Sequence, residues 1–91
     1  MPDELLLDIC SLLRTVEDLQ EDETLSPTKR GFLARTHATF TERREQLINQ
    51  MASAAMDAYP GTELYPSLEA FRKSLRDEVT RTRSSMRIHF P

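Results

Sequence analysis

Residues 5–19 read LLLDICSLLRTVEDL, and apolar side chains recur in this stretch at intervals of four and three residues. Five residues carry the spacing: Leu5, Ile9, Leu12, Val16 and Leu19. This repeat is typical of a helix that packs along a neighbouring helix. We expect helix one to span residues 2–20, because Pro2 fits a first helical turn and Asp3 and Glu4 complement the positive end of the helix dipole.

The remaining apolar residues widen this face of helix one. Leu6, Leu13 and Cys10 lie beside the spaced residues on a helical wheel and extend the apolar arc to about 140°, whereas Leu7 points to the acidic side. A single neighbouring helix covers only part of such an arc. We therefore predict that Leu6, Leu7, Cys10 and Leu13 are available to a second neighbour, a protein partner.

Helix two is expected over residues 27–59. Ser26 is a capping residue, Pro27 fits the first helical position, and the sequence YPG at 59–61 ends the helix. A helix of this length extends about 48 Å at 1.5 Å per residue. The segment THATFT at 36–41 is rich in β-branched threonine and forms a weak point where the helix could divide.

An apolar stripe runs along much of helix two, with His37 near its centre. The two flanking helices are too short to cover the whole stripe, so we expect a homodimer that buries the rest. The predicted dimer interface consists of Phe40, Arg44, Leu47 and Met51. The alternative is a monomeric bundle in which helix two bends at 36–41 and its neighbours cover it completely.

Helix three is expected over residues 66–85, followed by a short extended tail at 86–91 whose sequence, MRIHFP, alternates in polarity. If the helix continues further, four arginines fall on one side of it within about 60° of one another. They form a stripe predicted to contact a partner: Arg72, Arg76, Arg83 and Arg87.

The composition predicts an all-α fold for the chain of 91 residues, with only two glycines and 38% hydrophobic residues. We expect a single domain, a three-helix antiparallel bundle with a long central helix. Cys10 has no partner for an internal disulfide, and the longest apolar run falls far short of the roughly 20 residues of a membrane span. A soluble cytoplasmic protein without membrane contact is therefore expected.

Charge is divided unevenly along the chain. Residues 1–25 contain eight acidic residues and one basic residue, a charge of −7, and residues 26–91 contain eleven basic and seven acidic residues, a charge of +4, which together give the net −3. Such asymmetry is typical of an interaction tail or of two parts of one fold that attract each other. We favour attraction within the fold.

No pattern in the sequence predicts an enzyme, a metal site or a cofactor. Cys10, His37 and Asp57 are candidates for a nucleophile, a base and an orienting group, but no motif links them. The two histidines and the cysteine lack zinc-ligand spacing, and Glu21–Glu23 do not form a calcium-binding loop. Without a glycine-rich loop, a phosphate cradle is also absent from the sequence.

The opening PDELLLDICSLL, residues 2–13, resembles the first helix of the F-box motif, which docks on an adaptor protein. The resemblance implies a helix that binds a protein partner. It covers only these twelve residues, and the chain contains no tryptophan, which usually closes that motif. We do not assign the chain to this family.

The sequence as a whole predicts a small, non-enzymatic protein–protein interaction module. Regulation, inhibition and assembly or chaperone-like escort all suit a protein that occupies a partner's surface. The alternative is a regulator that binds nucleic acid through helix three, with Arg81 and His89 joining the arginine stripe. The acidic balance of the chain favours the protein partner.

Overall fold

A computed structural model describes the backbone of residues 3–56 and 64–90 and the side chains of residues 3–54 and 68–90. Three helices, and no strand, make up the described parts: α1 (Glu4–Gln20), α2 (Pro27–Met56) and α3 (Leu64–His89). The prediction of an all-α fold is confirmed. None of the helices, over the residues described, combines the length and the apolar character that a bilayer crossing requires.

α1 begins at Glu4, slightly later than predicted, and Asp3 precedes it as a capping residue. Asp3 has an extended backbone and caps the helix, because its Oδ1 accepts a hydrogen bond of 3.0 Å from the amide of Leu6. This bond satisfies one of the amide groups that a helix leaves unpaired at its amino end. The predicted start at residue 2 lies outside the described residues. The predicted end at Gln20 is confirmed.

α2 is one continuous helix of 30 residues, about 45 Å long at 1.5 Å per residue. Ser26 caps it, with its hydroxyl accepting a bond of 3.3 Å from the amide of Lys29. The segment 36–41 does not break the helix. Thr36 and Phe40 are both buried, so their packing against the other helices offsets the low helix propensity of this segment. The predicted last turn, 57–59, lies outside the described residues.

α3 is longer than the sequence predicted. The expected extended tail at 86–91 is wrong, because the helix continues to His89. Met86 is buried in the core, and the ring of Phe90 lies 6.2 Å from the ring of Phe32 at the start of α2. Tertiary contacts therefore hold the last turn of α3 in helical form, although its sequence alternates in polarity.

The core lies between the three helices and is almost entirely aliphatic. Its buried members are Leu5, Ile9, Leu12, Leu13, Val16, Leu33, Phe40, Leu47, Leu75, Val79 and Met86. All five of the spaced residues of α1 take part, since Leu19 packs against this cluster from its edge. The 4-3-4-3 spacing of α1 thus correctly predicts which of its faces turns inward.

Contacts between the helices run in a consistent order. Along α2 and α3, Phe32 meets Phe90, Arg43 pairs with Glu78, and the sulfur of Met51 lies 3.9 Å from Arg72. Along α1 and α2, His37 pairs with Glu17, and Arg72 joins Met51 to Asp3. These contacts link α2 to both α1 and α3.

The predicted dimer interface on α2 is wrong for its two largest apolar residues. Phe40 and Leu47 are only 2% and 0% exposed, and they lie inside the core of a single chain. Arg44 and Met51 are half-buried, and Met51 packs against that core. α1 and α3 both pack on α2, and they cover Phe40 and Leu47 from within the chain.

Candidate functional site

The outer side of α1 presents the most apolar exposed surface of that helix. Leu7 is 54% exposed, whereas Leu5 and Ile9, two residues before and after it in the sequence, are buried. Cys10 is exposed too, and Leu6 is half-buried against the core. Leu7 and Cys10 are thus exposed and Leu6 is half-buried, and their binding to a partner stays a prediction.

Leu13 does not belong to this surface. It was predicted to contact a partner, but it is only 4% exposed and belongs to the core cluster. The physical reason is the position of α2, which covers the side of α1 that the sequence left open for a second neighbour.

Ile48 joins the outer side of α1 from the neighbouring helix. Ile48 lies eleven residues, or about three helical turns, after His37, so both side chains lie on the side of α2 from which His37 reaches Glu17 of α1. Ile48 is 42% exposed. We call Leu6, Leu7, Cys10 and Ile48 the α1 patch. The sequence predicted Ile48 as part of the apolar stripe of α2 and did not predict its exposure. That exposure depends on where α1 lies against α2.

A groove lies on the other side of α1, where this helix meets the end of α3. It has a volume of about 230 Å³ and is open to solvent. Its lining combines apolar side chains with two arginines: Leu12, Thr15, Leu19, Arg83, Met86, Arg87 and Phe90. We call it the α1/α3 groove. It exists because α3 remains helical to His89, which places Met86 and Phe90 beside α1.

The predicted arginine stripe is divided by the structure into two pairs. Arg72 donates a hydrogen bond of 2.7 Å to Asp3, and Arg83 donates one of 3.2 Å to the carbonyl of Asp8. These two arginines hold α3 against α1. Arg76 and Arg87 are exposed and have no carboxylate within 4.0 Å among the described residues.

Asp3 is the titratable group most affected by these contacts. The hydrogen bond from Arg72 lowers its pKa below the ordinary value of 3.8, and the amide of Leu6 adds to the effect, although burial acts in the opposite direction. Both side chains are largely shielded from water, with 15% of Asp3 and 20% of Arg72 exposed. The charged form of Asp3 is therefore the one that the fold stabilises.

His37 pairs with the other end of α1. Its Nε2 lies 2.9 Å from Oε2 of Glu17, so this histidine has a carboxylate neighbour from another helix. His37 acts as a link between α1 and α2.

Of the catalytic set considered from the sequence, the structure describes Cys10 and His37, and it pairs His37 with Glu17 rather than with Cys10. His37 bonds to Glu17, which lies seven residues beyond Cys10, or about 10 Å along α1. A nucleophile and its base must approach to hydrogen-bond distance, about 3 Å. Asp57 lies outside the described residues. Among the residues that are described, no group of three or more potential metal ligands lies together.

Comparison with known proteins gives no relative from which a function could be transferred: no protein-family model, curated protein or solved structure matches this chain. The function must therefore be argued from the α1 patch, the α1/α3 groove and the exposed arginines. Sequence reasoning predicted the arginines and most of the α1 patch. It missed the α1/α3 groove. The only signal for the groove in the sequence was the spacing of four residues between Met86 and Phe90, which is consistent with one more turn of α3.

Proposed function

We propose that this protein is a small, non-enzymatic interaction module that binds another protein through the α1 patch and the exposed arginines of α3, Arg76 and Arg87. Regulation, inhibition or assembly of the partner would follow from occupying its surface. The proposed setting is the cytoplasm, where the exposed thiol of Cys10 would stay reduced.

The exposure of Leu7 is the observation that carries this proposal. A leucine left in water forgoes about 1.5–3 kcal/mol that burial would provide. Leu7 does so on a helix whose other leucines are buried or half-buried, and Leu6, Cys10 and Ile48 add to the same surface. Exposed apolar side chains that form a patch, rather than occurring singly, mark interaction surfaces.

We also propose that the helices form an antiparallel bundle. The order of the contacts supports it, since α2 meets the start of α1 near Met51 and the end of α3 near Phe32. In such a bundle α1 and α3 point in the same direction, which brings Asp8 to Arg83.

The proposal is tested by affinity capture with matched variants. The tagged protein and its Leu7→Glu variant are incubated with native lysate, and the retained proteins are identified by mass spectrometry. Ile88→Glu is the control, because Ile88 is 75% exposed but lies on α3, away from the α1 patch. We expect Leu7→Glu to lose at least one specific protein that Ile88→Glu keeps, while far-ultraviolet circular dichroism shows both variants to be equally helical.

Nuclease treatment of the lysate distinguishes the nucleic-acid alternative. Phosphate contacts release counterions, so binding to nucleic acid weakens steeply as salt rises. Arg76, Arg81 and Arg87 are exposed, but Arg72 and Arg83 already have partners within the chain, which leaves less of the stripe for a phosphate backbone. Capture that disappears with nuclease, or that is the same for wild type and Leu7→Glu, would overturn the proposal.

A further inference from the structure

The α1/α3 groove combines two properties that together specify what it binds. Leu12, Leu19, Met86 and Phe90 supply an apolar floor, and Arg83 and Arg87 stand at its α3 side. The floor favours a large apolar side chain over a polar one. Arginine at the edge of such a groove favours carboxylate or phosphate, because its planar group presents several N–H donors.

The charge of the groove is only partly neutralised from within the chain. The carboxylate of Asp8 lies 3.9 Å from Arg83, at one end of the groove. Arg87 has no carboxylate within 4.0 Å in the part of the chain that the structure describes. A ligand that brings negative charge to Arg87 therefore gains attraction without displacing an existing ion pair.

Positive charge continues along the same helix. A second hollow on α3 is lined, among the described side chains, by Glu69, Ala70, Arg72, Lys73 and Arg76. From residue 76 to residue 87 the distance along the helix is about 16 Å at 1.5 Å per residue. An occupant that reaches from one hollow to the other needs carboxylates spread over about three helical turns, so a single small anion is too short.

We propose that the α1/α3 groove is a docking site for an acidic amphipathic helix of a partner protein, with an apolar side chain on the floor of the groove and carboxylates facing Arg87 and Arg76. Arg76 and Arg87 are eleven residues apart, about three turns of α3, and carboxylates three turns apart on the partner helix match that spacing. The partner segment is thus defined by its acidic and apolar side chains, and its binding rests on the proposed function of this protein as an interaction module.

The test uses a synthetic helical peptide of about five turns with leucines on one face and glutamates flanking them. A second peptide, with lysine in place of every glutamate, serves as the comparison. Binding is measured by fluorescence anisotropy, and the site is mapped by amide chemical shifts of the isotope-labelled protein. We expect the acidic peptide to shift amides of Thr15, Met86 and Phe90 and the lysine peptide to leave them unchanged.

Two variants with the same change of charge sharpen the test. Arg87→Glu places an acid at the groove, whereas Arg81→Glu makes the same change on another side of α3, about 120° away. Both arginines are exposed, so neither change disturbs the core. We expect Arg87→Glu to weaken the acidic peptide at least tenfold and Arg81→Glu to weaken it less than threefold.

Three results would overturn this inference: equal losses in the two variants, equal binding of the lysine peptide, or chemical shifts outside the groove. Groove shifts that depend on protein concentration without any peptide would assign the groove to a second copy and also overturn it. None of these results bears on the capture experiment. A specific protein lost in Leu7→Glu would still support the interaction function if the groove proposal failed.

Discussion

Asp3 shows how much a single side chain contributes to this small fold. One carboxylate oxygen caps α1 through the amide of Leu6, and the other accepts a hydrogen bond from Arg72 of α3. Arg72 also contacts the sulfur of Met51 on α2. A residue at the start of the first helix is therefore connected to all three helices.

We predict that Asp3→Asn lowers the free energy of unfolding at neutral pH by about 1–2 kcal/mol, because it leaves the shielded guanidinium of Arg72 without its carboxylate. Asparagine is as good a capping residue as aspartate, so this variant isolates the ion pair. Asp3→Ala removes the cap too and should cost about 1 kcal/mol more. Urea denaturation followed by circular dichroism measures both.

The pH dependence of the same variants has a defined sign. Because the folded-state pKa of Asp3 lies below 3.8, its charged form stabilises the fold above that value, and the contribution is lost as pH falls through the lower folded-state pKa. The difference between wild type and Asp3→Asn should be constant above about pH 5 and shrink as the solution is acidified further. A difference that grows on acidification would contradict this account of the ion pair.

At the scale of the element, α3 is held in place by its last turn. Met86 is 6% exposed, whereas Ile88, two residues later, is 75% exposed. We predict that Met86→Ala lowers the free energy of unfolding by about 2–5 kcal/mol, as removal of a buried side chain usually does. Ile88→Ala should change it by about 0.5 kcal/mol or less. Thermal and urea denaturation of the two variants provide the comparison.

Met86→Leu guards against the case in which Met86→Ala fails to fold, since a swap of similar volume usually costs less than about 1.5 kcal/mol. If residues 86–91 formed a loose tail, the substitutions at positions 86 and 88 would have similarly small effects. Equal costs at the two positions would therefore contradict the buried last turn of α3.

How far the sequence predicts this fold differs from helix to helix. The 4-3-4-3 spacing of α1 identifies its buried face correctly, because every turn contributes an aliphatic residue to one side. The end of α3 could not be predicted in the same way. In MRIHFP the apolar residues Met86, Ile88 and Phe90 alternate with polar ones, a pattern typical of an extended segment, whereas the burial of Met86 and the contact of Phe90 with Phe32 accompany the helix in the structure.

The site is predictable in part for a related reason. A helical wheel shows which residues share a face, but the neighbours of that face decide which are exposed. Leu6, Cys10 and Leu13 all lie beside the main seam, yet Leu13 is buried, Leu6 is half-buried and Cys10 is exposed. Phe40 and Leu47 were predicted to need cover from a second copy for the same reason. The helices that bury them belong to the same chain, and the sequence does not specify the positions of those helices.

At the scale of the whole molecule, the uneven charge of the chain becomes a set of attractions between helices. The described ion pairs join Asp3, Asp8 and Glu17 of α1 to Arg72, Arg83 and His37, and a further pair links Arg43 to Glu78. The acidic first part of the chain thus lies against basic groups of the remainder. Among the two interpretations of the charge asymmetry, these pairs favour attraction within the fold.

We therefore predict that salt destabilises the folded protein. Raising sodium chloride from about 0.05 M to about 0.5 M shortens the electrostatic screening length several-fold. This should lower the free energy of unfolding by about 1 kcal/mol, because each surface ion pair contributes only a few tenths to 1 kcal/mol. Urea denaturation at a series of salt concentrations at neutral pH measures the slope. Asp3→Asn, which lacks the most shielded pair, should show a shallower slope than wild type. If repulsion among the surplus acidic groups dominated instead, the free energy of unfolding would rise as salt is added. The sign of its change with salt concentration therefore decides whether the acidic and basic parts of the chain attract each other in the folded protein.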